Sequence, residues 1–208
     1  MYTLYGTRRS GAAMVEMALA EAAAPYEFVA TGLGKGASLD SPFLSINPTG
    51  KLPALVTPGG EVLAESAAIL LALADRHPAA KLLPTNRQKA ARAMAQRWIV
   101  FVVAEIYPMI ELWDYPERFV SKDAMPAFKE AVRERLRRRW LAVEEAIAGE
   151  PWLLLSGFSA ADLAIATVSR WTVGKRWRKN NVPRIEAIAR AIGKRELAGP
   201  VWQRHFGE

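Results

Sequence analysis

The chain changes its hydrophobic period once, and that change limits what it can fold into. Up to Arg76-His77-Pro78, short apolar runs alternate with helical stretches; beyond Gln88 the patterned stretches have the helical period. In the first part, "YTLYG" (Tyr2–Gly6) reads as a strand, residues 10–24 as a helix and "YEFVA" (Tyr26–Ala30) as a second strand. An irregular, glycine-containing stretch follows over 31–46. "PALV" (53–56) and "EVLA" (61–64) flank a Thr-Pro-Gly-Gly turn, which is a hairpin signal, and a helix from Glu65 to about Arg76 closes the unit. The order β-α-β, loop, β-β-α predicts a mixed four-stranded sheet with helices packed on it.

After "PAAKLLPTNRQ" (78–88), with its two prolines, the pattern predicts helices over 87–113, kinked at Pro108, and over 124–148, 158–171 and 183–192. This divides the chain into an α/β domain over 1–77, a linker over 78–86 and an all-helical domain over 87–208. Phe128, Val132, Leu136, Trp140, Val143 and Ile147 recur at spacings of four and three, a stripe facing a core. The arginines between them, 133–139, fall on the other faces and read as a solvated surface, as does "KRWRK" (175–179). The net charge of +7 favours acidic partners, but no nucleic-acid motif accompanies it.

Among the 208 residues there is no cysteine, which excludes disulfides, thiolate-bound zinc and a CxxC redox centre in the chain itself. The two histidines, His77 and His205, read as structural, and no metal site is expected. Arg8-Arg9 before an alanine-rich run imitates a leader peptide. Glu16 and Glu21 interrupt that run, on the side opposite Met14, Met17 and Leu19, so it reads as an amphipathic helix of the mature protein. No stretch approaches the roughly 18–20 apolar residues of a membrane span, and a cytoplasmic location is expected.

Two local choices look odd as structure. Lys51-Leu52-Pro53 opens a short strand on a proline, which removes a ladder donor. If the Leu52–Pro53 bond is cis, the Leu52 N–H and C=O turn outward and can pair with an extended peptide. Glu65-Ser66 then opens a helix, where the Ser66 hydroxyl and the first N–H groups favour an anion and Glu65 can accept from an ammonium group. One peptide ending in an α-amino acid satisfies both.

"NPTGKLPAL" (47–55) followed by "LAESAAIL" (63–70) resembles the glutathione-binding signature of cytosolic glutathione S-transferases. The two-domain layout extends the resemblance over essentially the whole chain, and "GFSAADLAIA" (157–166) resembles the capping-box helix of the family's second domain. In it Ser159 and Asp162 form an S-x-x-D box, with Phe158 and Leu163 placed as a hydrophobic staple. The resemblance implies a thioredoxin-like N-terminal domain and glutathione as co-substrate. Its cysteinyl backbone would pair with Leu52 before Pro53, its γ-glutamyl end would meet Glu65 and Ser66, and Lys51 would lie near a carboxylate. It further implies a homodimer.

A free thiol has a pKa of about 8.5, and lowering it by roughly two units takes about 2.7 kcal/mol of preference for the anion. A hydroxyl at the N-terminus of the first helix supplies such a preference. Ser10 stands there, six residues after Leu4, as the active serine does in the theta- and zeta-like classes, with Arg8 or Arg9 adding positive potential. Tyr5 is its rival but lies one position early, inside the strand. Where some classes carry His or Lys before the Asn-Pro stretch this chain has Ser38, and where the beta-like class has its cysteine it has Gly11. Tyr107, Met109 and Trp113 are the candidates for the pocket of a small apolar electrophile, with Glu105 facing either that site or a dimer partner. The expected activity is a glutathione S-transferase; a glutathione-dependent isomerase or dehalogenase and a non-catalytic interaction module are the alternatives.

Overall fold

The structure, a computed structural model, describes residues 1–31, 42–171 and 173–207. Strands β1 (Tyr2–Gly6), β2 (Tyr26–Ala30), β3 (Ala54–Val56) and β4 (Val62–Ala64) form one sheet in the order β2-β1-β3-β4. β1 runs parallel to β2, and β3 runs antiparallel to both β1 and β4, so the sheet is mixed. Leu4 pairs with Phe28 on one side and Leu55 on the other, placing the apolar alternation of β1 at the sheet centre. Helices α1 (Ala12–Glu21) and α2 (Ser66–Arg76) pack against it, giving the thioredoxin-like arrangement that the element order predicts.

The rest is helical: α3 (Lys89–Phe101), α4 (Tyr107–Asp114), α5 (Met125–Ala146), α6 (Ala160–Ser169), α7 (Lys175–Asn181), α8 (Pro183–Ile192) and α9 (Ala198–Phe206). α7 and α9 were not anticipated. The expected stripe on α5 is real: Val132, Leu136, Trp140 and Val143 are buried, as is Ile147 just beyond it, while Phe128 packs at the margin. All ten residues of α6 are buried, and its Ser159–Asp162 capping box forms as expected. Phe158 packs against the core cluster that includes Leu163, and its ring also meets Trp152 and the Arg195 guanidinium.

Three expectations need correction. First, the helix after the linker is not simply kinked at Pro108: a π-helical turn, Val102–Ile106, separates α3 from α4. Pro108 follows that turn after Tyr107 and has no N–H to return to it, so the π-helical turn and the proline interrupt the ladder at the same place. Second, α3 through α4 (Lys89–Asp114) is long and apolar enough to cross a membrane by length and composition, against the expectation that no stretch would be. Here it packs on α5 and α6. Third, α1 is not amphipathic in the sense expected. It is buried on every side between β1, α2, α6 and α9, with Ala12, Met14, Met17 and Leu19 at 0% exposure.

Glu16 and Glu21 are therefore inside, held by the end of the chain. The Glu16 carboxylate accepts from Arg204 at 2.6 Å and Tyr26 at 2.9 Å and pairs with His205 Nε2 at 2.6 Å. Burial alone would raise its pKa, but these bonds hold it below the usual glutamate value. Arg195 clasps Glu21 with two bonds at 2.7 and 2.8 Å. "KRWRK" also differs from a wholly solvated face: Arg178 is buried and donates to Glu186 at 2.7 Å.

Candidate active site

The loop between β1 and α1, the 47–53 turn, the start of α2 and one face of α4 surround a groove of about 920 Å³. Each wall has a local cause. Buried Asn47 donates to the Lys51 carbonyl at 2.8 Å and accepts from the Thr49 N–H and hydroxyl at 3.2 and 2.9 Å. With Gly50 at φ 65, this folds 47–51 into a turn that presents Lys51 and Leu52 to the groove. The Leu52–Pro53 bond is cis, as the sequence reading supposed.

At the start of α2, Glu65 has φ 63 and ψ 108, a conformation that costs a glutamate of order 1–3 kcal/mol. Its side chain makes no cap bond and is exposed, whereas Ser66 is 3% exposed. Both line the groove. Lys51 Nζ lies 3.6 Å from Glu111 of α4, an exposed pair that spans the opening.

Ser10 lines the groove at the foot of α1. Its hydroxyl donates to the Thr7 carbonyl at 2.8 Å and accepts from the Ala12 N–H at 3.2 Å, so it ties down the loop ahead of the helix. Arg9, at φ 61, donates its backbone N–H to His205 Nδ1 at 3.1 Å. His205 therefore carries its hydrogen on Nε2, facing Glu16. A chain Arg9–His205–Glu16 thus runs from the rim of the groove through the last helix to a buried carboxylate of α1. Sequence reasoning missed it, because the only signal was a lone histidine near the terminus.

Tyr5 does not line the groove: it pairs with Val29 and Ala54 within the sheet and its ring lies 5.7 Å from Phe43. Of the electrophile candidates, Tyr107 lines the groove, with Pro108, Ile110, Glu111 and Asp114 further along α4. Met109 and Trp113 do not, and that expectation is corrected. Helical spacing turns them away: Met109 is buried, and Trp113 lies under Lys129 and Arg133 of α5. Glu105 bonds to Arg139 of α5 at 2.8 Å. Arg170 and Trp171 complete the far wall, and neither was anticipated. Burial raises the Asp114 carboxyl's pKa, with Lys129 opposing. Ser38 lies outside the described residues. Among those residues no group of His, Asp and Glu could hold a metal ion.

Residues 1–75 match the family described as glutathione S-transferase, N-terminal domain. A GST-like protein of Escherichia coli (strain K12), YncG, is 31% identical over 193 residues, 92% of each chain. Glutathione S-transferase GstA of Escherichia coli O157:H7 is 28% identical over 74% of this chain and 73% of its own. Among solved structures, a glutathione transferase homolog from Sulfitobacter, with bound glutathione, superposes with a TM-score of 0.84. It is 26% identical and covers 97% of this chain and 96% of its own. By its sequence over almost its full length, and by its fold, the chain belongs to the cytosolic glutathione S-transferase family.

Proposed function

We propose that the chain binds glutathione in this groove and presents its thiolate to a small apolar electrophile. The observation that carries this reading is convergence: Lys51-Leu52-Pro53 and Glu65-Ser66, separate oddities in the sequence, line one groove with the N-terminus of α1. The cysteinyl backbone lies along Leu52, and the γ-glutamyl carboxylate meets Ser66 and the open N–H groups of α2. The γ-glutamyl ammonium group goes to Glu65, and Lys51 attracts a carboxylate. Ser10 is the donor that the sequence nominates for the sulfur; serving it requires exchanging the bond to Thr7. The dipole of α1 favours the anion as well.

The rate then comes from a larger thiolate fraction and from holding both reactants in one cavity. The second substrate lies between α4 and Trp171, where Ile110, Pro108 and the aromatic rings provide apolar contact. We also infer a cytoplasmic homodimer; the exposed Val62, Met94 and Val100 are apolar surface that a second copy would cover. The test is titration with glutathione, following tryptophan fluorescence and thiolate absorbance against pH, then conjugation to an apolar aryl halide. Binding with a thiol pKa well below 8.5 and turnover of the halide supports the transferase. Binding with an unshifted thiol discards the mechanism and keeps the groove. No binding at millimolar glutathione overturns the reading in favour of an interaction module.

A further inference from the structure

Gly11 is a glycine whose backbone does not need to be one. Its φ of −58 and ψ of −18 suit any residue at the start of a helix. What it lacks is room: a Cβ there would stand 3.1 Å from the Tyr107 hydroxyl, 3.3 Å from Tyr107 Cε1 and 3.1 Å from Pro53 Cδ. The missing side chain is what lets a phenol from the helical region stand against the first helix beside the cis proline. The π-helical turn immediately before Tyr107 sets that side chain's direction, its N–H bonding back to the Val102 carbonyl. The ring is braced by Trp171, with centroids 4.9 Å apart.

Ser10, by contrast, has its hydroxyl hydrogen engaged by Thr7. The Tyr107 hydroxyl stands against the backbone of Gly11, 3.1 Å from where a Cβ would be, and an O–H is free to rotate about its C–O bond toward an acceptor. Burial raises the Tyr107 pKa, Glu65 adds to the rise and the Gly11 backbone opposes it, so the phenol stays a protonated donor. Pro53 and the Tyr107 hydroxyl approach the Gly11 position equally, at 3.1 Å each, so a cysteinyl side chain that leaves the Leu52 backbone beside Pro53 would have this hydroxyl as a neighbour.

We propose that the sulfur of bound glutathione is met by the Tyr107 hydroxyl, brought from the helical region into the space that Gly11 leaves open beside Pro53. This rests on the glutathione site proposed above and names the group that serves the sulfur. The thiol loses its proton to water, the electron pair stays on sulfur, and the phenol donates to it without being deprotonated. Tyr107 is then a catalytic residue, and Gly11 positions it. In place of the beta-like cysteine at the foot of the first helix, this chain has a gap filled by a hydroxyl from the other half of the molecule.

The experiment uses the full chain and three single variants: Tyr107→Phe, which keeps the ring and removes the donor, Gly11→Ala and Ser10→Ala. Thiolate absorbance of bound glutathione is titrated against pH, and affinity is measured separately with S-methylglutathione, which has no thiol proton. Tyr107→Phe is expected to keep S-methylglutathione affinity within about threefold and raise the thiol pKa by about one unit, roughly a threefold loss of thiolate at neutral pH from a starting value about two units below the free thiol. Gly11→Ala pushes the phenol away and gives a similar shift, and the double variant Gly11→Ala/Tyr107→Phe adds little to either. A Tyr107→Phe titration matching the wild type with binding intact overturns the proposal, as does a shift that follows Ser10→Ala alone. If the wild type binds neither ligand, the site reading itself fails and this proposal with it. Should Tyr107→Phe lose its thermal transition, Gly11→Ala, which leaves the tyrosine in place, decides.

Discussion

α6 and α2 begin on the two motifs that stand out in the sequence, and their N-termini are finished in opposite ways. At α6, Asp162 accepts from the Ser159 and Leu153 N–H groups at 2.8 Å each, and both Ser159 and Asp162 are wholly buried. At α2, Glu65 occupies the cap position without capping and is exposed, and the first turn faces the groove. A terminus inside the protein has to be closed by its own side chains, because an orphaned N–H away from water costs about 1–3 kcal/mol. A terminus in an open groove is satisfied by water and can exchange that water for a ligand. The same local element is thus a structural joint in one half and, in the function proposed here, a binding device in the other.

That contrast can be broken from the α6 side first. Asp162→Ala removes the cap and leaves buried donors unpaired, with an expected loss of about 3 kcal/mol in urea unfolding. The affinity of the folded fraction for glutathione should stay within about twofold. The pH dependence sharpens this. Burial pushes the Asp162 carboxyl up to about 6 against the donors around it. The native state therefore holds this proton more tightly than the unfolded chain does. Its contribution to stability is greatest at low pH and falls as the pH rises from about 4 to about 6. Comparing unfolding midpoints of the wild type and Asp162→Asn across that window should show the fall in the wild type only.

From the α2 side the effects should appear in binding. Ser66→Ala is expected to weaken glutathione about tenfold, roughly 1.4 kcal/mol, with stability changed by less than about 1 kcal/mol. Calorimetric titration beside thermal unfolding separates the two. Glu65→Gly relieves the positive φ and should stabilise the protein by about 1 kcal/mol while weakening glutathione binding. A loss of both would mean that Glu65 is a structural residue and would remove the contrast. The smallest effect belongs to Glu111→Gln. The Lys51–Glu111 pair has side chains 70% and 37% exposed, and breaking it should change stability by less than about 0.5 kcal/mol.

Much of the fold was legible because its signals are local. β1 and β2 fall where alternation placed them, and α8 begins and ends at the residues its pattern predicted. The Ser159–Asp162 box needs only four residues to be recognised. The site was legible in the same measure: the 47–53 turn and the Glu65-Ser66 helix start are short motifs, and they line one groove. α7 and α9 were missed because "KRWRK" reads as charge and the last helix has no recognised cap. Met109 and Trp113 were misplaced because a continuous helix through the apolar run leaves its phase uncertain, and the π-helical turn resets it.

The sequence by itself determined most of the elements, their order, the family resemblance and the two short motifs that line the groove, since each depends on residues within one turn or one strand of each other. It could not show that Glu16 would be buried and paired with His205, 189 positions away, or that the Arg9 N–H would reach the same histidine. Nor could it show that a side chain at Gly11 would crowd Pro53 and Tyr107, because the tyrosine comes from the other half of the chain. Those features depend on the distance between packed helices, which no local pattern encodes: burial removes water as the alternative partner, and only packing decides which distant group takes its place.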